Sequence, residues 1–76
     1  MTERAYVLIE TEVGKVKKVV EAIRSSEGVV SVDVVTGPYD AIAIVEGETL
    51  ADIGVLVTAQ VHRISGISRT VTCLAV

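Results

Sequence analysis

The chain has no tryptophan and no phenylalanine, and its only rings besides one histidine are Tyr6 and Tyr39. Modules that grip single-stranded nucleic acid stack bases on exposed rings, and that means of binding is missing. Small dimeric monooxygenases line their cavities with rings and histidines, which are almost absent here as well. A single cysteine, Cys73, excludes an internal disulfide and any multi-thiolate metal site, including the Cys-x-x-Cys of a copper chaperone. It fits a reducing, cytoplasmic setting. There is no basic cluster: the net charge is −3, and Lys15, Lys17 and Lys18 are the only close group. Those three are expected on the wet face of a helix, so direct nucleic-acid binding by this chain is not expected. No apolar run is long enough to span a membrane, and Met1-Thr2-Glu3-Arg4 does not open a signal peptide.

What the chain does have is aliphatic surface. Half of its 76 residues are apolar, mostly Val, Ile and Ala. That is more than one small domain of this length can hide, and large apolar patches on a folded domain usually meet a partner.

The pattern along the chain alternates between two periods. Arg4 to Thr11 has the period of a strand, with Ala5, Val7 and Ile9 on one face and Tyr6, Leu8 and Glu10 on the other. Gly14 opens a helical segment to about Ser26, whose buried stripe is Val16, Val19, Val20 and Ile23; Gly28 is its stop. Val29 to Thr36 is expected as a second strand, with Val30, Val32 and Val34 sharing a face. Tyr39 to Glu46 is expected as a third strand. Thr49 then caps a second helix, with Asp52 three residues on and a stripe of Leu50, Ile53, Val57 and Val61. Val55 and Leu56 widen its apolar surface. Ile67 to Val76 is the last strand, with Cys73 expected as a small core residue.

The order β-α-β-β-α-β is the split βαβ, ferredoxin-like plan, α+β in class. Right-handed crossovers place both helices on one face of a four-stranded antiparallel sheet ordered 4-1-3-2. The central strands, however, are apolar on both faces, and an open antiparallel sheet normally shows one polar face. A second copy packed sheet against sheet resolves this, so a homodimer is expected. The surplus on the second helix points to a larger ring or stack.

Strands two and three are joined by Gly37-Pro38, followed at once by Tyr39 and Asp40. The turn centres on Gly37-Pro38 with glycine in a mirror-image position, or carries Pro38 one place earlier. On turn chemistry alone this is a hairpin with a polar strand start, but composition asks no folding role of a carboxylate at residue 40. The topology brings Asp40 near Glu10 and Thr11, and near Ser68, Arg69 and Thr70. Strands three and four, flanking strand one, stand roughly 10 Å apart, a gap suited to a molecule the size of an amino acid.

The run Val35-Thr36-Gly37-Pro38-Tyr39-Asp40, with Gly66-Ile67-Ser68-Arg69-Thr70-Val71-Thr72, resembles the ligand-binding (RAM) domain of the Lrp/AsnC transcription regulators. Ala5 to Thr11 and Glu27 to Val32 match the same family, so the likeness covers essentially the whole chain. It implies a single domain over residues 1–76 that binds a free amino acid, dimerises through its sheet and forms an octamer or similar ring. By that resemblance Gly37, Pro38 and Tyr39 offer hairpin backbone to the ligand carboxylate, and Asp40 faces its ammonium. Thr70 and Thr72 add hydroxyls, although on propensity alone they are ordinary strand formers. No counterpart of the full-length regulators' helix-turn-helix is expected, since strand one starts within a few residues of Met1. The expected role is therefore to modulate transcription through a full-length partner. The alternatives are a pure oligomerisation or partner-capping module and an ACT-like regulatory domain.

No enzyme, cofactor or metal chemistry is expected. An acylphosphatase of this plan needs an arginine in a phosphate-cradling loop after strand one, where Glu12-Val13-Gly14-Lys15 stands instead. His62 has no second ligand near it in sequence and is expected at a helix end or interface.

Overall fold

A computed structural model describes residues 2–76. The elements are β1 (Glu3–Thr11), α1 (Val16–Arg24), β2 (Val29–Val34), β3 (Ala41–Gly47), α2 (Leu50–Ala59), a 3-10 turn (Val61–Arg63) and β4 (Ile67–Leu74). The four strands form one antiparallel sheet in the order β2-β3-β1-β4, the expected ferredoxin-like arrangement.

Both helices cover one face of the sheet. Ala5, Val7 and Ile9 of β1 and Ala41, Ala43 and Val45 of β3 are fully buried against Val19, Val20 and Ile23 of α1 and Ile53, Leu56 and Val57 of α2. Alanines at 41 and 43 let the helices approach the middle of the sheet closely. Thr49 caps α2 in a reciprocal box: its hydroxyl accepts the Asp52 amide at 3.1 Å, and the Asp52 carboxylate accepts the Thr49 amide at 3.2 Å. Such a box is needed because Gly54 and three valines or isoleucines weaken the helix locally.

Several expected details differ. The helix after Gly14 starts at Val16 and ends at Arg24, and β4 stops at Leu74. Strand β2 ends at Val34 and β3 begins at Ala41, so Thr36 and Tyr39 belong to the loop. Pro38 has no N–H and Gly37 sits at φ +138°, so the ladder stops after the Val35 amide reaches the Asp40 carbonyl at 3.0 Å. The simple alternation of β2 is broken by an irregularity between Val29 and Ser31, which turns Val29 toward the core and leaves Val30 exposed. On α2 it is Leu56, not Leu50, that fills the core. Leu50 lies in the first turn and is exposed, while Val61 is buried from the 3-10 turn.

The uncovered face carries Tyr6 and Leu8 of β1, Ile42 and Ile44 of β3, and Val71 and Cys73 of β4, brought side by side by the strand registers. Cys73 is exposed there and not in the core, because its position opposite Tyr6 puts it on the side the helices do not cover. Ion pairs close the two ends of this apolar field. Arg4 donates to Glu46 at 2.6 and 3.0 Å, and Arg69 lies 3.6 Å from Glu10. The bond to Glu46 holds the Arg4 guanidinium above its ordinary pKa. An apolar centre with a charged rim is the anatomy of a protein–protein contact.

Candidate functional site

The hairpin end is built around Asp40. Its amide donates to the Ile9 carbonyl at 2.8 Å, continuing the β1–β3 ladder by one bond past Ala41. In an unbroken ladder the Thr11 amide would next face residue 39, but the loop has turned away there. The Asp40 carboxylate takes over: Oδ2 accepts the Thr11 amide at 2.8 Å in a half-buried setting. The carboxylate therefore does have a folding role, contrary to the expectation from composition. Among the described residues, no hydrogen bond engages its Oδ1.

Across β1 the register slips between Glu10 and Thr11, so that Arg69 pairs with Glu10 while Ile67 pairs with Thr11. Ser68 is the extra residue, and its hydroxyl donates to the Glu10 carbonyl at 3.1 Å. The Glu12 amide reaches the Gly66 carbonyl at 2.8 Å, tying the end of β1 to the start of β4. Gly66 is at φ +99°, and a Cβ there would come within 3.0 Å of the Lys15 side chain, so this joint accepts only glycine without movement.

The six residues assigned from the family resemblance fall into two groups. Gly37, Pro38, Tyr39 and Asp40 form the hairpin tip, all four outside the strands, with Tyr39 and Asp40 half-buried. Thr70 is opposite Ile9, level with Asp40 but on the far side of β1. Its hydroxyl is 3.1 Å from His62 Nε2, a contact across the 3-10 turn that sequence periodicity cannot foresee. Thr72 is two residues further along β4, opposite Val7, on the same face of the sheet as Thr70 but beside α2. With Leu74 it forms one wall of a groove of about 330 Å³ whose other wall is α2. The groove was not legible in the sequence, since its lining is Thr and aliphatic residues that any core could use.

No three His, Cys, Asp or Glu side chains gather as metal ligands would among the described residues. Likewise, no helix among them is long and apolar enough to cross a membrane.

A family model described as the Lrp/AsnC ligand binding domain matches residues 4–76. No curated protein is a significant match. Among solved structures, FFRP-DM1 is 32% identical over 97% of this chain and 99% of that one, with a TM-score of 0.92. TTHA0845 from Thermus thermophilus is 35% identical over 97% and 92% of the two chains, also with a TM-score of 0.92. A transcriptional regulator of Neisseria meningitidis, NMB0573, solved as a complex with L-Met, is 12% identical at a TM-score of 0.86, a likeness of fold alone. It is matched over 97% of this chain and 49% of its own.

Proposed function

The chain belongs to the Lrp/AsnC ligand-binding domain family, and from that premise we propose that it senses a free amino acid and does so as a homo-oligomer. The family is one of regulatory ligand-sensing domains, not of enzymes. The observation that carries the amino-acid reading is Asp40. One carboxylate oxygen is anchored on the Thr11 amide, which fixes the group at the strand end and leaves its other oxygen for a cation. An α-ammonium is the cation that fits beside turn amides able to take a carboxylate, and the hairpin supplies the Gly37 and Tyr39 amides just ahead of Asp40 in the chain. Pro38 holds that turn; the Thr70 and Thr72 hydroxyls, which lie across β1 from Asp40 within one chain, join the polar set only from a neighbouring copy. NMB0573, of the same fold, is a transcriptional regulator seen with L-Met, which supports a free amino acid as the effector.

The oligomer is read from the open sheet face. Tyr6, Leu8, Ile42, Ile44, Val71 and Cys73 form an apolar field that a second copy covers, with Arg4–Glu46 and Glu10–Arg69 at its rim. Further copies assemble on the exposed apolar residues of α2, Leu50 and Val55. An assembly of this kind modulates transcription by co-assembling with a full-length Lrp/AsnC regulator.

The test is a thermal-shift screen with each proteinogenic amino acid, followed by calorimetry on those that score. A ligand present at a hundred times its Kd stabilises the folded chain by about 2.7 kcal/mol, which such a screen detects readily. No shift with any amino acid, together with specific capture of a protein partner, would replace sensing by assembly alone.

A further inference from the structure

Resting on the amino-acid reading above, we propose that His62 is a positioning residue for the ligand: through Thr70 it fixes which way a hydroxyl points its proton, and it thereby ties amino-acid binding to proton uptake. The geometry is a contact of 3.1 Å between His62 Nε2 and Thr70 Oγ1. His62 belongs to the 3-10 turn and Thr70 to β4, and the backbone is anchored on both sides of the contact. Val61, next to His62, is fully buried, and its carbonyl accepts the Ile64 amide at 3.1 Å. Thr70 is held in the β1–β4 ladder, opposite Ile9.

An imidazole and a hydroxyl in contact share their hydrogen bond in one of two senses. When Nε2 is bare it accepts the Thr70 O–H, and the hydroxyl oxygen can then only accept from a ligand. When Nε2 carries a proton it donates to Thr70 Oγ1, and the hydroxyl turns its own proton outward. A neutral ring reaches either state by choice of tautomer, whereas an imidazolium is protonated on both nitrogens and permits only the second. The strong acceptor of a free amino acid is its carboxylate, which has lone pairs for the turn amides and for one hydroxyl besides. Protonated His62 therefore favours a carboxylate at Thr70 twice, by orienting the donor and by its own charge.

The surrounding elements leave that charge unclaimed. Arg63 is next to His62 on the turn, and the Lys15 side chain, ahead of α1, lies against Gly66. On β4, Arg69 is taken up by Glu10 of β1, 3.6 Å away on the rim of the uncovered face. Glu12 follows β1, its amide bonded to the Gly66 carbonyl, and the one charged residue of α2, Asp52, caps the helix at its far end. Among the described residues no carboxylate pairs with His62, so a docked ligand carboxylate is the anion that a protonated ring would meet. Linkage then runs in one direction. Binding that favours the protonated ring tightens as pH falls through the range where histidines titrate and weakens as pH rises through it. Reciprocally, the ligand raises the proton affinity of the ring by the same factor.

The free proteinogenic amino acids serve as probes, titrated by calorimetry at one protein concentration at about pH 8 and about pH 5.5, either side of the usual histidine range. The tightest binder is expected to bind at least about fivefold more tightly at the lower pH, the small end of ordinary coupling between sites. His62→Gln keeps a hydrogen-bonding group beside Thr70 but cannot titrate, and its two affinities are expected to agree. Thr70→Val keeps the shape without the hydroxyl and is expected to lose most of the rise. His62 is the chain's only histidine, so its ring gives a single titration by NMR, which saturating ligand is expected to move to higher pH. A parent whose affinity does not rise at the lower pH, a variant that keeps the parent's full rise, or a histidine titration that ligand leaves in place would each overturn the role of His62 while leaving amino-acid sensing standing. A parent that binds no proteinogenic amino acid at either pH would overturn both.

Discussion

Asp40 accepts the Thr11 amide within the chain and is proposed to face the ligand's ammonium, and two substitutions separate these roles. Asp40→Ala removes the acceptor from a half-buried amide whose bond is 2.8 Å long. Leaving such a donor unsatisfied costs about 1–3 kcal/mol. For a domain of this size that is a loss in Tm of on the order of 10 °C. Asp40→Asn keeps an oxygen in place and weakens the bond from charge-assisted to neutral, a loss of under about 1 kcal/mol. Ligand affinity ranks the variants differently. The ammonium loses its charged partner in both, worth about 1.5–3 kcal/mol, or roughly ten- to a hundredfold in Kd.

Urea melts at one fixed protein concentration measure the first quantity, because assembly otherwise makes stability depend on concentration. Calorimetry with the amino acid found by screening measures the second. The expected result is an asparagine variant that melts near the parent yet binds poorly. An asparagine variant that melts with the alanine variant would show that the Thr11 bond does not hold the strand end. One that binds as tightly as the parent would show that the charge at 40 does not read the ammonium.

Leu8→Lys places a charge in the middle of the open sheet face, between Ile42 and Val71. It is expected to leave a folded single chain by light scattering at micromolar concentration, where the parent scatters as a multiple. Gly28 is at φ +85°, and a Cβ there would lie 3.2 Å from the Leu56 side chain and 3.3 Å from the Glu46 carbonyl. Gly28→Ala is therefore expected to destabilise by about 1–2 kcal/mol in a urea melt, whereas Gly54→Ala, with open space around its Cβ, is expected to gain up to about 1 kcal/mol. Thr49→Ala removes the α2 cap seen in the reciprocal bonds to Asp52 and is expected to cost about 0.5–2 kcal/mol in the same measurement.

The strand order, the α1 stripe and the Thr49–Asp52 box were legible because each depends on local periodicity or on residues three apart. Cys73 on the uncovered face was visible in the alternation of β4 only once β1 and β4 are known to pair Tyr6 with Cys73. What the sequence hid depends on breaks in that regularity. The irregularity at Val30 and the slip at Ser68 each insert one residue into a ladder, and nothing in a run such as Val29-Val30 or Ile67-Ser68 marks which residue will be extra. The structural role of Asp40 was out of reach for a related reason: the chain leaves the sheet at Tyr39, and only that departure hands the Thr11 amide to a side chain. Leu50 and Leu56 fit a helical stripe equally well, and the choice between them falls to the position of α2 over β1 and β3.

A ligand site divided between copies would have a thermodynamic consequence. If the hairpin meets the rest of its site only across copies, the ligand binds the assembly and not the lone chain, so by linkage each amino acid bound stabilises the contact it bridges. The coupling is reciprocal: raising protein concentration must tighten apparent ligand affinity, and raising ligand must lower the concentration at which copies associate. A fixed carboxylate oxygen favours this arrangement, because Asp40 is already ordered by Thr11 before any ligand arrives and little side-chain entropy remains to be lost on binding. A dimer formed on the aliphatic field of the sheet face would be independent of ligand. The weaker, ligand-bridged contact is the one left to respond to amino-acid supply, and titrations at two protein concentrations an order of magnitude apart would show whether the apparent affinity moves.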